Sequence, residues 1–124
     1  MLSTASSLRV FVAAGVTDLR MSFDGLGYLT RSVLGRELAA GEIYLFCNRR
    51  RNRVKALWWD AGGVWCAAKR LESGTFAWPR SGAVARSLEI RADEMVALLG
   101  GLDLAGSSRR DWYERRSRAP RRSA

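Results

Sequence analysis

The chain has no histidine. That removes the commonest general base, the Ser–His and Cys–His nucleophile pairs, and every zinc site with an imidazole ligand. Its two cysteines, Cys47 and Cys66, cannot complete a four-thiolate zinc site or a disulfide framework. A reducing, cytoplasmic setting is the expectation. Long apolar runs are absent too. The stretch from Val10 to Val16 falls far short of the roughly 20 residues a spanning helix needs, so no membrane partner is expected. Met1-Leu2-Ser3-Thr4-Ala5 carries no basic region ahead of an apolar one, which reads against a signal peptide. Nor is there a glycine loop of the phosphate-binding type.

What is present is a globular composition with a strong positive bias. Of 124 residues, 48% are hydrophobic and five are tryptophan, enough to bury a core in one domain. The net charge is +9, and 19 of the 21 basic residues are arginine. Such a surplus suits polyanionic partners, and the arginine fork suits phosphate and guanine edges. Coding bias in a GC-rich genome gives the same composition. The charge is uneven: seven arginines against Asp111 and Glu114 fall in residues 107–124. The expected division is an α+β domain over residues 1–106 and a basic, flexible tail over 107–124.

The spacing predicts a strand over residues 8–13. A helix follows, capped by Thr17 or Asp18 and ended by Gly35, that buries Leu19, Phe23, Leu26, Leu29 and Val33. Its outer face pairs Arg20 with Asp24. Residues 43–47 are apolar on both faces, the mark of a central strand. Hairpin-like connections then join strands at 54–59, 64–71 and 75–78, the last stopped by Pro79. A short strand at 87–90 and a helix at 92–99, burying Met95, Leu98 and Leu99, complete the domain. The expected fold is a mainly antiparallel meander of about five strands with two packed helices.

Two constellations stand out. Arg49, Arg50 and Arg51 occupy a hairpin tip, with Arg53 and Lys55 on one face of the outgoing strand. Five cations with no acid between them repel one another unless a partner neutralises them, so this ribbon is a candidate nucleic-acid grip. A solvated turn that keeps an edge soluble is the plain alternative. Trp58 and Trp59 are adjacent in a strand and face opposite sides, which makes one of them a candidate protein interface. Core packing is the plain reading of the tryptophans, Trp65 and Trp78 included. The carboxylates Asp18, Asp24, Asp60, Glu72, Asp93 and Glu94 all have cap, turn or ion-pair roles available, so no catalytic or metal site and no cofactor is expected. Cys47 and Cys66 read as buried small hydrophobes.

Five segments resemble one known family. They are Gly15-Val16-Thr17-Asp18-Leu19-Arg20 with Ser22-Phe23-Asp24-Gly25-Leu26; Tyr44 to Lys55 with its arginine run; Leu57-Trp58-Trp59-Asp60; Lys69-Arg70-Leu71-Glu72 with Gly74, Phe76, Trp78 and Pro79; and Leu98-Leu99 with Gly101-Leu102-Asp103. In this order, across residues 8–104, they are similar to the accessory protein encoded as the second open reading frame of insertion sequence 66 transposons, a family called TnpB. The resemblance implies a bacterial, nucleoid-associated protein that acts beside a separate transposase in the DNA recombination of a mobile element. It supplies no catalytic residues. The matching positions add Lys69 and Arg70 to the candidate nucleic-acid-binding residues, and Asp18, Arg20 and Asp24 as further family-motif positions, beside the arginine tip and the tryptophans. One departure is the last helix, which lacks a Ser or Thr cap at Arg91 and so is expected to start weakly. The expected function is a non-catalytic accessory factor that binds DNA, at the transposon ends, through the arginine hairpin. The alternative is an adaptor that docks on the transposase, or on a second copy of itself, through exposed tryptophan.

Overall fold

The structure, a computed structural model, describes residues 8–80 and 87–100. In chain order the elements are strand β1 (Arg9–Ala13), helix α1 (Phe23–Ser32), strands β2 (Glu42–Cys47), β3 (Arg53–Asp60), β4 (Gly63–Arg70) and β5 (Ser87–Ile90), and helix α2 (Ala92–Leu99). The strands form one sheet in the order β4-β3-β2-β1-β5. Three of its four pairings are antiparallel, as an α+β meander requires. The tail at 107–124 and the connection at 81–86 lie outside the described residues.

One pairing departs from a meander. β1 and β2 run parallel, with Val10 opposite Ile43 and Val12 opposite Leu45. A parallel pair needs a long crossover, and residues 14–41, which contain α1, supply it. Short loops elsewhere in the chain gave no hint of this step.

β2 is the middle strand, and its alternate residues enter two cores. Ile43, Leu45 and Cys47 pack with Val10, Val12, Val54, Phe76, Trp78, Ile90 and Leu98 on the face that α2 covers. Tyr44 and Phe46 pack with Phe11, Leu57 and Leu26 on the face that α1 covers. Burial on both sides is why residues 43–47 read as a continuous apolar run. Leu26, fully buried beneath the helix, is a side chain whose truncation to alanine costs about 2–5 kcal/mol.

Three local expectations are corrected. α1 starts at Phe23, not at Thr17 or Asp18. The Asp18 carboxylate accepts the Arg20 backbone N–H at 3.0 Å, closing a local turn instead of a helix. With the helix shortened, Phe23 and Val33 fall at its ends and are exposed; Leu26 and Thr30 carry the buried side. The strand expected at 75–78 does not form. The Phe76 N–H donates to the Arg51 carbonyl at 2.7 Å and the Trp78 N–H to the Phe76 carbonyl at 2.9 Å, so the segment bends inward and plugs the core. Finally, α2 lacks a hydroxyl cap, but the Glu94 carboxylate accepts the Arg91 N–H at 2.8 Å and does the same work from inside the first turn.

Candidate polyanion interface

Parallel β1 and β2 carry their carboxyl ends to one end of the sheet. The turn at residues 48–52 projects there, flanked by the exit loop of β1 and the segment around Pro79. The Thr17 N–H donates to the Cys47 carbonyl at 2.8 Å and the Gly15 N–H to the Pro79 carbonyl at 3.0 Å, which ties the three pieces together.

Asn48 organises the tip. Its Oδ1 accepts the backbone N–H groups of Asn52 and Arg53 at 3.1 and 3.0 Å, and its Nδ2 donates to Asn52 Oδ1 at 2.9 Å. Arg51 adopts the left-handed conformation, φ 60°. Its carbonyl is held by Phe76 and its N–H by the Asn48 carbonyl, so the turn is fixed from both sides. Arg49 and Arg50 are thereby displayed from a pinned backbone.

Arg53 and Lys55 share a face, as expected, and that face is the one α1 covers. Arg53 lies directly opposite Arg70 across β3 and β4. Two like charges at this spacing are destabilising in isolation. Arg70 is partly answered by Glu72 at 3.4 Å. Arg20 arrives on the β1 exit loop and is answered by Asp18 at 2.6 Å, a pair in which the guanidinium's hydrogen bonds hold the Asp18 carboxyl down at about 2. The expected Arg20–Asp24 pair does not form; Asp24 is exposed in the first turn of α1. Among the described residues, Arg49, Arg50, Arg51, Arg53 and Arg80 make no ion pair.

Three open hollows mark this end. One of about 390 Å³ is lined by Gly15, Val16, Arg49, Arg51, Pro79 and Arg80 among others. One of about 410 Å³ lies between Asp18, Arg20, Arg50 and Arg53. One of about 440 Å³ follows Arg53 to Arg70 and Glu72. Among the described residues each is lined by at most one carboxylate, Asp18 in one and Glu72 in another. No group of three metal-ligating side chains comes together among the described residues.

The two lysines sit differently from the arginines. Lys55 Nζ donates to the Met21 carbonyl at 2.8 Å, just ahead of α1. Lys69, on the opposite face, donates to the Leu99 carbonyl at 2.7 Å, where the negative end of α2 favours a cation. Each lysine therefore ties the sheet to one helix. Neither partner could be read from spacing, and neither could Arg80 or Asn48, which belong to this end through contacts distant in sequence. Asn48 gave one weak signal, an Asx residue opening a turn.

Trp58, Trp59 and Trp65 lie toward the other end of the sheet, while Trp78 sits at the arginine end, lining the hollow with Arg49 and Arg51. Trp58 and Trp59 do face opposite sides. Trp58 is half-buried and stacks on Trp65, with ring centroids 5.8 Å apart and planes 14° apart. Trp59 is 38% exposed and Trp65 53%. Trp78 is buried, its Nε1 donating to the Ala13 carbonyl at 3.0 Å. Cation–π contacts among the described residues fall on Phe11, under Arg9 and Arg36, rather than on a tryptophan. Cys47 is buried and inert, its thiol pushed up to about 12 by loss of solvent, while Cys66 is half-buried.

No helix among the described residues is long and apolar enough to cross a membrane. No solved structure matches the chain. Two uncharacterized proteins of Sinorhizobium fredii, y4hO and y4jC, are each 33% identical to it over 105 residues. The match spans 83% of this chain and 88% and 86% of theirs. The family described as IS66 Orf2-like protein matches residues 8–109. That span takes in the whole described sheet, both helices and every residue of the basic end, and the chain belongs to the IS66 Orf2-like family.

Proposed function

We propose that the basic end of the sheet binds the phosphate backbone of DNA, and that the protein serves transposition of an IS66-type element as a non-catalytic accessory factor. Family membership points to the accessory role in transposition. The observation that carries the DNA reading is the collection of Arg49, Arg50, Arg51, Arg53 and Arg80 around the Asn48 turn, none of them in an ion pair among the described residues. A pinned backbone that presents unanswered guanidinium groups is preorganised for phosphate oxygens. Arg20 and Arg70, each beside a carboxylate, flank it. The transposon ends are the natural target for such a factor.

A mobility shift tests this. The probes are a duplex carrying the element's terminal repeat and a scrambled duplex of equal length. Five phosphate contacts give a log–log salt slope of about −4.5. Changing Arg49, Arg50 and Arg51 together to Gln is expected to reduce that slope by about 2.7 while the circular dichroism stays unchanged. Preference for the terminal repeat at the higher salt supports end recognition. An unchanged slope in the triple variant overturns the assignment to this turn.

The second reading, an adaptor docked on the transposase, is favoured by one observation, the exposure of Trp65 and Trp59 at the end away from the arginines. Loss of transposase capture in Trp59→Ala, with DNA binding intact, is its expected signature.

A further inference from the structure

β4 is an outer strand of the sheet, and among the described residues nothing pairs with its free side. Outer strands are normally blunted by proline, a bulge or a charge placed mid-strand. Gly63-Val64-Trp65-Cys66-Ala67-Ala68 has none of these. Its register with β3 runs unbroken from Asp60–Gly63 to Arg53–Arg70, and its charges, Lys69 and Arg70, are confined to one end. Its flanks are apolar on both faces. On one face Trp65 stands exposed against Trp58, with exposed Ala67 two residues on. On the other, the Ser22 hydroxyl reaches Cys66 Sγ at 3.9 Å, so the start of α1 overhangs the strand, and the adjoining Phe23 is 50% exposed.

We propose that the free edge of β4 pairs with β4 of a second copy, antiparallel, about a two-fold axis at Cys66, giving one continuous ten-stranded sheet. In a two-fold antiparallel pair one residue must face itself, because opposed residues point to the same side of the sheet. Cys66 opposite Cys66 sets Trp65 against Ala67, Val64 against Ala68 and Gly63 against Lys69. Large side chains meet small ones and no like charges face each other. Centring the pair on Trp65 opposes two indoles and shortens the overlap. Centring it on Ala67 opposes Val64 to Arg70. A second copy fits better than a foreign strand because β4 carries both halves of the complement, the indole at one end and the alanines and cations at the other. The same operation sends the two arginine ends in opposite directions. Arg70 is four residues from the axis, so the two copies of Arg70 lie about 26 Å apart along the strands. A dimer of this kind presents two separate basic ends. The pairing stands without the DNA reading; only this last consequence uses it.

The test uses the full chain in solution. Light scattering behind size exclusion is expected to give a dimer at tens of micromolar protein. A short bismaleimide is expected to trap that dimer through Cys66 and to lose it in Cys66→Ser, while buried Cys47 contributes nothing. Changing Ala67 and Ala68, both exposed, to Lys places like charges across the axis and is expected to raise the dimer dissociation constant at least tenfold with unchanged circular dichroism. If that variant fails to fold, amide exchange in the unmodified protein decides: β4 amides gain protection with concentration if the edge pairs. A monomer at every concentration overturns the proposal. So does a dimer that survives both lysines, or one that cross-links with Cys66 absent. Pairing of β4 only with added transposase also overturns it.

Discussion

The turn between β2 and β3 and the turn between β3 and β4 each hold a non-glycine residue in the left-handed region, Arg51 at φ 60° and Ala61 at φ 50°. They support that strain by different means. At residues 48–52 the Asn48 side chain takes two backbone N–H groups, and Phe76 clamps Arg51 from the core. At Ala61 and Gly62 the tight two-residue turn relies on Gly62, φ 85°, on the ladder that continues to Asp60 opposite Gly63, and on the Trp65 indole N–H, which donates to Asp60 Oδ2 at 3.2 Å. The first turn displays arginines; the second closes a strand pair rich in tryptophan. The turn that presents repelling charges is anchored by three bonds of one side chain and a clamp from the core, whereas the turn that joins two stacked strands adds to its ladder a single indole bond across the turn.

The strongest way to break this contrast is Asn48→Ala. Three side-chain hydrogen bonds are lost and two backbone N–H groups are left to find water. Stability is expected to fall by about 2–3 kcal/mol, read as a lower urea midpoint at constant slope. A change below about 0.5 kcal/mol shows that the ladder alone holds the tip.

Ala61→Asn works in the other direction. It writes Asn-Gly, the preferred pair for a hairpin turn with two positive φ angles, where alanine is strained. Stability is expected to rise by about 1 kcal/mol in the same urea titration. The same substitution logic at Arg51 yields less, because that residue's carbonyl and N–H are already held.

Both hairpins were legible in the sequence, because each is a local event: apolar runs broken by Asn48 to Asn52, and by Asp60 to Gly63. The central place of β2 was legible from residues 43–47 for the same kind of reason, since burial on both faces writes itself into consecutive residues. What the chain hides is set at a distance. The parallel pairing of β1 with β2 brings the β1 exit loop beside the arginine tip, and with it Arg20 and Asp18, but no local pattern encodes that neighbour. Thr75–Trp78 has the composition of a strand and the bonding of a plug, because the carbonyl it meets belongs to Arg51. Lys55 and Lys69 read as cations for a partner; their Nζ atoms meet the Met21 and Leu99 carbonyls, which only the packing of the helices places. The arginine tip was therefore visible as a cluster, while the division of its cations into paired and unpaired was not.

The Asp18–Arg20 pair offers the finest probe of that division. Arg20 donates to both carboxylate oxygens of Asp18, from Nε at 3.0 and 3.1 Å and from a terminal nitrogen at 2.6 Å, and its backbone N–H adds a fourth bond at 3.0 Å. These bonds favour the ionised form and pull the Asp18 carboxyl to about 2. A carboxyl lowered by folding adds stability that is complete above its ordinary value; that stability is lost as pH falls through the lowered one. The pair is at the surface, so its weight in folding is small, and the titration itself is the readout. Carbon-detected resonance of the Asp18 carboxyl is expected to titrate near 2 in the unmodified protein. In Arg20→Ala it is expected to return toward the ordinary aspartate range. The variant also leaves a bare carboxylate inside the basic end. Polyanion affinity should then drop by more than one lost cation explains, and a matching drop in Arg20→Ala with Asp18→Asn would show that the freed carboxylate adds nothing.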